Sequence, residues 1–395
     1  MDILKNKVDS IFPEVTEWRR HFHKYPELSN NEKNTSETIA RILEKLPLDI
    51  KKNIGGYGVV AELKGDSKGK TIAVRADMDA LPIQERNEAS YSSGVKNIMH
   101  ACGHDGHISI VLGIAHVLSE MKNRLKGNVK FIFQPAEENA PNGGAKAMIE
   151  SDVLKNPDVD AILGVHIWPD LDQGKIGIKK GQLMASSDYF KIEVFGKNGH
   201  ASAPNEAVDT LFTACKIITT LQSSLSRILN PLDPSIVSVG TLKSGVRYNI
   251  ISDYAVIEGT VRTLCLDSRR LIKRKISDVV DGICKIMGAE GKVDYEEGYP
   301  ILNNDSKIIE IIEHSARESL DNQDVVILEK AALAAEDFAN YLKEVPGAMI
   351  WLGSKNYELD YIYPLHNPKF NFDESILKTG INVLSAAIIN YLDNN

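Results

Sequence analysis

The chain has 395 residues, 43% hydrophobic and 25% charged, with a formal net charge of −8. That length exceeds one ordinary core and points to two or three domains. The acidic balance argues against nucleic acid or an anionic membrane as partner, since both need clustered Lys and Arg.

No run approaches the roughly 18 apolar residues of a membrane span, and the N-terminal residues lack the apolar core of a secretory signal. Cys102, Cys215, Cys265 and Cys284 show no paired spacing, so reduced thiols in a cytoplasmic protein are expected. Cys215 and Cys284 fall within helical patterns and are expected as small core residues.

In chain order, an amphipathic helix is expected to about Tyr25, and a second over 34–46 after the break at Pro26. Strands over 58–63 and 71–75 follow, expected as neighbours, then a helix over 104–121, a strand over 128–134, a helix over 143–150 and a strand over 161–167. Runs such as Val129-Lys130-Phe131-Ile132-Phe133 suit strands buried on both faces, so the fold class is α/β: a mixed or mostly parallel sheet with helices on both faces. From Ser186 the order becomes strand 189–195, helix 207–228, strands 236–242 and 250–262, helix 268–287 and strand 291–296. That is a ferredoxin-like β-α-β-β-α-β unit. The first pattern resumes with a helix over 306–319 and a strand over 348–352. The expected organisation is one catalytic domain in two parts, 1–185 and 298–395, with an α+β domain inserted over 186–297.

Gly65-Asp66-Ser67-Lys68-Gly69-Lys70-Thr71 looks like a phosphate-binding loop, but it is one residue short and leads into a strand. A Gly-rich hairpin turn is the better reading.

Chemistry concentrates in His100-Ala101-Cys102-Gly103-His104-Asp105-Gly106-His107, where a thiol, three imidazoles and a carboxylate fall within eight residues. Asp77 and Asp79, Glu137 with Glu138, and His166 stand at or just beyond the ends of expected strands, and His366 lies in a turn near the C-terminus. In open α/β sheets, sites form in the crevice past the carboxyl ends of the strands, which would bring these residues together. A divalent ion of borderline softness accepts thiolate, imidazole and carboxylate at once, and Cys102, His104, Glu138, His166 and His366 offer all three. Five candidates suit one crowded site or two adjacent ions, a pair that in hydrolases clamps the attacking and departing oxygens. With Glu138 on metal, Glu137 is free to take a proton from water and pass it to a leaving amine, which is C–N bond hydrolysis.

Plainer readings fit other histidines. His116 and His314 are expected as satisfied core residues, and His21 and His23 as helix-end packing rather than a site entrance. Adjacent acids usually mark a solvated face, but Glu137 and Glu138 follow the apolar Phe131-Ile132-Phe133-Gln134-Pro135-Ala136. His107, one helical turn past His104, is either a ligand or a support for one.

Longer motifs span nearly the whole chain: Phe22-His23-Lys24-Tyr25-Pro26-Glu27-Leu28-Ser29, Arg75-Ala76-Asp77-Met78-Asp79-Ala80-Leu81-Pro82, residues 99–107, Gln134-Pro135-Ala136-Glu137-Glu138, Gly199-His200-Ala201-Ser202-Ala203-Pro204, Gly259-Thr260-Val261-Arg262-Thr263, Glu336-Asp337-Phe338 and Pro364-Leu365-His366-Asn367-Pro368. On these motifs the chain resembles the aminoacylase and hippurate hydrolase family of metal-dependent amidohydrolases, a branch of the zinc carboxypeptidases that includes the auxin-conjugate hydrolases. The resemblance implies a zinc-peptidase fold with an inserted dimerisation or lid domain, metal ligands Cys102, His104, Glu138, His166 and His366, general base Glu137, and Asp79 orienting a ligand from behind. In the more distant carboxypeptidase branch a His binds metal at the place of Asp77. Here the residue is Asp and Cys102 appears instead, so no ligand role is carried to Asp77.

The resemblance also implies that His200, from its own or a partner subunit, steadies the oxyanion of the tetrahedral intermediate. Asn249 and Arg262, which alone would read as a turn Asn and a surface Arg, match residues that hold the substrate carboxylate. The loop at Glu336 is expected to border the substrate. Members of the family often carry Gly-Ser before that loop, whereas this chain has Ala334-Ala335, which leaves specificity open and the chemistry intact.

The implied activity is cleavage of N-acyl amino acids of acetyl, benzoyl or indoleacetyl type by a homodimer or higher oligomer carrying one or two ions of Zn, Mn, Co or Ni. N-acetyl-diaminopimelate is a further candidate substrate, and a dipeptidase or carboxypeptidase on the same scaffold is the alternative. Cys102 with His104 favours the acyl-amino-acid branch. A non-catalytic metal-binding protein would lack the base or the oxyanion residue, yet Glu137 and His200 are both present.

Overall fold

A computed structural model describes residues 2–394, and the chain divides into two compact units. The first holds residues up to 183 together with 303–331 and 337 onward; the second holds 184–302 and 332–336.

The first unit opens with α1 (Asp2–Lys24), α2 (Lys33–Leu43), β1 (Asp49–Ile54), β2 (Gly58–Lys64) and β3 (Ser67–Asp77). It continues with α3 (His104–Glu120), β4 (Lys126–Gln134), α4 (Ala145–Glu150), β5 (Ala161–Asp172) and β6 (Ile176–Ile178), and the chain leaves it along β7 (Gly181–Met184). The second unit supplies β8 (Ser186–Phe195), β9 (Gly199–His200), α5 (Thr210–Ile228), β10 (Ser235–Ser244), β11 (Ile250–Ile251), β12 (Tyr254–Thr263), α6 (Leu266–Met287) and β13 (Glu290–Tyr299). The chain returns along β14 (Leu302–Asn304) into α7 (Ser306–Ser319), β15 (Val325–Ile327), β16 (Gly347–Lys355) and α8 (Ile376–Asn394).

In the first unit eight strands form one mixed sheet in the order β1-β2-β4-β3-β5-β16-β6-β15. The centre is parallel, β4 with β3, β3 with β5 and β5 with β16, while β1, β2 and β4 pair antiparallel. β5 is buried from Ala161 through Pro169, which explains why its sequence is apolar without alternation. α3 is buried along nearly its whole length, and it lies close to β5 because position 106 is glycine. A Cβ there would stand 2.5 Å from Ile167 Cδ1 and 2.8 Å from Phe372 Cζ.

The sheet corrects one expectation. β2 and β3 are neighbours in sequence but not in space, because β4 lies between them. The backbone amides of Gly65 and Asp66 donate to Gly127 and Leu125 at the start of β4, so the glycine-rich segment docks on β4 rather than closing a hairpin.

The second unit is a four-stranded antiparallel sheet, β10-β12-β8-β13, with α5 and α6 on one face. Phe190, Ile192 and Val194 alternate along β8 and meet Ala214, Ile217 and Leu221 of α5 and Ile272, Ile276 and Val280 of α6. Strand period two and helix period three to four thus build one core. The single strand expected over 250–262 is broken at Ser252-Asp253, which leaves β11 to pair with β9, and β13 runs on to Tyr299. Two burial expectations fail for a shared reason. Cys215 lies off the buried stripe of α5 and is exposed, and His314 lies off that of α7 and pairs with Glu318 at 3.4 Å on its outer face. Cys284 is buried, whereas His116 is half-buried, packs against Trp18 with ring centroids 4.9 Å apart and leaves Nε2 without a hydrogen-bond partner, so it is not the satisfied core residue expected. No helix among the described residues is long and apolar enough to cross a membrane.

A buried charge network fastens α1 to the first turn of α3. Arg19 donates from Nε to Asp105 Oδ2 at 2.9 Å and from Nη2 to Asn371 Oδ1 at 2.7 Å. Its guanidinium lies between the rings of Tyr91 and Phe372. His23 joins Asp105 Oδ2 through Nδ1 at 2.8 Å and Glu85 Oε1 through Nε2 at 3.0 Å. Burial alone would raise the Asp105 carboxyl, but Arg19 and His23 outweigh it and hold it far below the usual carboxylate range.

Removing one partner of such a buried pair costs about 3–5 kcal/mol, so Arg19→Met is expected to lose that much in urea unfolding at pH 7. The folded pKa of Asp105 lies below the unfolded value of about 3.9, so its contribution is complete above that pH and is lost as the pH falls. Arg19→Met should therefore also flatten the decline of stability below about pH 4.

Candidate metal centre

The donors arrive on separate elements of the first unit. β3 delivers Asp77, with Asp79 just beyond its end, and Gly103, in a left-handed conformation at φ 87°, turns the chain from Cys102 into α3 so that His104 heads the helix. Glu137 and Glu138 follow β4, while His166 stands within β5, which continues to Asp172 rather than ending there. His366 sits in a loop at φ 64°, tied back by its amide to the carbonyl of Ala101 at 2.8 Å.

Hydrogen bonds set each imidazole. His104 donates from Nδ1 to the Asp79 carbonyl at 2.9 Å, and His166 donates from Nδ1 to the Ile167 carbonyl at 2.8 Å. Both Nε2 atoms are thereby left for the cluster. His166 Nε2 lies 3.6 Å from Cys102 Sγ, and Glu138 Oε1 lies 4.0 Å from His104 Nε2 and 3.1 Å from His366 Nε2. Donor atoms of Cys102, His104 and His166 fall within 4.8 Å of one another, as do those of Cys102, Glu138 and His366. The five predicted donors thus form two triads that share Cys102.

These residues fit a divalent cation. His104 Nε2 is a buried atom without a hydrogen-bond partner, an arrangement that is costly unless something else satisfies it. Burial would lower the His104 pKa, yet Asp77, Asp79 and Glu138 outweigh it and push it up to about 10. Burial, and then the carboxylates of Glu138, Glu137 and Asp77, raise the Cys102 thiol well above its ordinary value. The local field is strongly negative, so a thiolate here calls for a cation beside it.

His107 is settled by its partners. Nδ1 donates to Asp77 Oδ1 at 2.7 Å and Nε2 accepts from the Ile167 amide at 2.9 Å, so both nitrogens are committed. It bridges α3 to β5 beside His166 and supports the cluster from behind. Asp77 is equally committed, since its Oδ2 accepts from Arg75 Nη1 at 2.7 Å. Asp79 grips two of the predicted donors, His104 through its backbone carbonyl and the Glu138 amide, at 2.9 Å, through its carboxylate, to which Ser29 Oγ also donates at 2.6 Å.

Glu137 is buried next to this cluster, its carboxylate within 4.8 Å of the donor atoms of His104 and Glu138. Behind it lies Asp337, which accepts from Arg75 Nη2 at 2.7 Å, Gln134 Nε2 at 2.8 Å and the amides of Gly144 and Ala145 at 2.9 Å. The sequence signal for that network was a charged residue, Arg75, within an apolar strand. Glu32 carries no comparable signal in the sequence. It is fully buried, accepts from the Ala136 amide at 2.8 Å, and burial pushes its carboxyl up to about 7.

Of the remaining predicted residues, His200, Asn249, Arg262 and Glu336 belong to the second unit. His200 on β9 lies opposite Ile250 on β11, and the Asn249 carbonyl accepts from the Ala201 amide at 3.2 Å. Arg262 stands near the far end of β12, opposite Ile236 and Ser187. Glu336 is buried.

A family model described as peptidase family M20/M25/M40 matches residues 73–390. The chain belongs to that family. It is a metal-dependent hydrolase acting on amide bonds, with the mixed α/β architecture of its relatives. The chain is 40% identical over 379 residues to thermostable carboxypeptidase 1 of Saccharolobus solfataricus, covering 95% of each protein. It is 38% identical over 377 residues to an N-acetyl-L-cysteine deacetylase of Bacillus subtilis, covering 95% of this chain and 88% of that one. The solved YXEP protein of Bacillus subtilis, described as a dinuclear metal-binding peptidase of family M20, superposes with a TM-score of 0.84 at 34% identity, over 98% of this chain and all of its own.

His107→Leu would leave Asp77 Oδ1 and the Ile167 amide unpaired without removing a donor. It is expected to weaken divalent-metal affinity about 10–100-fold rather than abolish it, as measured by equilibrium dialysis.

Proposed function

We propose that the protein removes the acyl group from N-acyl amino acids, releasing a carboxylate and a free amino acid. The observation that carries this reading is the pair Glu137 and Glu138: one carboxylate faces the imidazoles of the donor cluster while its neighbour is buried beside it.

Cys102, His104, Glu138, His166 and His366 would hold the metal, which when bound polarises the amide carbonyl and makes water more acidic. The two triads sharing Cys102 favour two ions, and Zn, Mn, Co and Ni all accept such a donor set. Glu137 takes the proton from the attacking water and delivers it to the departing amine nitrogen. Asp79 keeps His104 and Glu138 in register. His200 accepts at Nδ1 from the Ser202 amide at 3.1 Å, which places its proton on Nε2, the tautomer able to donate to an oxyanion. Arg262 pairs with the substrate carboxylate through its planar fork, with Asn249 as a second contact and Glu336 bordering the substrate.

A homodimer through the second unit is part of this reading. β10 is an edge strand of that unit, and Val246 and Tyr248, just beyond it, are each 93% exposed, a surface that suits burial against a second copy. From Tyr254 to Arg262 the chain runs eight strand residues, about 26 Å at roughly 3.3 Å each. Asn249 and Arg262 of one copy are therefore too far apart to hold the same carboxylate, and we assign His200 and Asn249 to the site of the partner subunit.

The second reading is a carboxypeptidase or dipeptidase, which the likeness to the Saccharolobus carboxypeptidase favours. Rates on a panel of acetyl, benzoyl and indoleacetyl amino acids, N-acetyl-diaminopimelate and dipeptides decide between the two. N-acyl substrates should be turned over fastest, and faster cleavage of dipeptides would reject the deacylase reading.

Glu137→Gln is expected to lower kcat by about 10²–10⁴-fold with metal content unchanged; turnover at the wild-type rate would remove Glu137 from the mechanism. Glu137→Gln and His200→Ala subunits, each inactive alone, should regain about a quarter of wild-type activity when unfolded and refolded together, because a mixed dimer holds one intact site. No recovery would place His200 with its own subunit.

A further inference from the structure

Glu32 immediately precedes α2, the position from which a short polar side chain such as Asp or Ser caps the first amides of a helix. It makes no capping bond. Glu27 does that work, its carboxylate accepting from the amides of Asn34 at 3.2 Å and Thr35 at 2.8 Å and from both their side chains. The Glu32 side chain turns inward instead. Its Oε1 accepts from the Ala136 amide at 2.8 Å, while the buried Oε2 has no hydrogen-bond partner.

A buried carboxyl group with one oxygen unpartnered is costly to keep. The bond to the Ala136 amide falls on a strained position. Ala136 is left-handed at φ 59°, a conformation in which an L-residue's Cβ crowds the following carbonyl oxygen. That residue sets the direction in which the chain leaves β4, one position before Glu137 and two before Glu138. Asp79 holds the other end of the turn through the Glu138 amide at 2.9 Å. Two buried carboxyl groups thus clamp a turn that would relax to negative φ by itself, carrying both glutamates away from His104. Strain held in this way by surrounding groups is characteristic of working sites.

We propose that Glu32 is a positioning residue of the hydrolytic site: its carboxyl oxygen holds the left-handed turn at Ala136 and so aims Glu137 and Glu138. This rests on the roles of those two glutamates given above. The group required is an acceptor at the Oε1 position, so an amide can replace the acid, whereas a side chain shorter by one methylene cannot reach.

The test is titration of the full-length, metal-stripped protein with Co²⁺ alone, read as affinity and as the visible absorption of the bound ion. Glu32→Gln is expected to match wild type. Glu32→Asp should bind about 10–100-fold more weakly, the range for lost support behind a ligand, with an altered spectrum, and its kcat should fall while KM stays. Thr35→Val, which loses a Glu27 bond on the same helix, should lower the Tm without changing Co²⁺ affinity. Ala136→Gly removes the penalty on the left-handed turn, so it should restore affinity, and folding if that is lost, to Glu32→Asp.

Wild-type affinity and spectrum in Glu32→Asp, equal impairment in Glu32→Gln, or no rescue by Ala136→Gly would each overturn the proposal. A wild-type protein that takes up no Co²⁺, Zn²⁺ or Mn²⁺ would instead sink the reading of the metal centre itself.

Discussion

Two buried carboxylates, Asp77 on the last residue of β3 and Asp79 just after it, fix the geometry around the donor cluster. Asp77 holds Arg75 on one side and His107 on the other, and through His107 it reaches the Ile167 amide next to His166. Asp79 takes the Glu138 amide and Ser29 on its carboxylate and holds His104 through its backbone carbonyl. A carboxylate buried without such partners would neutralise or leave the interior. Each acid therefore forces its neighbours into one arrangement, and that arrangement brings donor atoms of His104 and His166 within 4.8 Å of the Cys102 thiol.

Further charge pairs extend the same logic outward. Arg19 joins Asp105, beside His104, to Asn371, five residues past His366, so two donor-bearing segments share one guanidinium. Arg75 joins Asp77 to Asp337, behind Glu137. Buried pairs of this kind contribute little net stability compared with apolar replacements, but each is expensive to break on one side only. Their consequence here is definition of geometry. A donor set must be held to within about half an ångström to be useful, and packing of apolar side chains alone is less directional than a bidentate guanidinium.

Much of the fold was legible because its physics is local. The apolar run of β5, the alternation along β8 and the β-α-β-β-α-β order follow from periodicity, and periodicity survives in sequence. Failures came where a contact between distant segments overrode the local pattern. The segment 65–71 reads as a hairpin turn, yet Gly65 and Asp66 bond to residues 125 and 127 and admit β4 between the two strands. Cys215 and His314 read as core because helical patterns surround them, but each lies just off its helix's buried stripe. A rotation of one position separates burial from exposure on a helix, and composition does not report it.

The candidate donors were also visible, since Cys102, His104 and the Glu137-Glu138 pair are chemically unusual in apolar surroundings. By itself the sequence determined the element types, the presence of a metal-binding vocabulary and the identity of the residues that carry it. Only the tertiary structure decided that His107 is committed to Asp77 and Ile167, that Cys102 is common to two donor triads, and that Glu32, Arg75 and Asp337 stand behind Glu137 and Glu138. The reason is that a donor can be recognised by its own chemistry. A supporting residue is an ordinary Glu, Arg or Asp until a segment a hundred residues away supplies the amide or carboxylate that gives it a task.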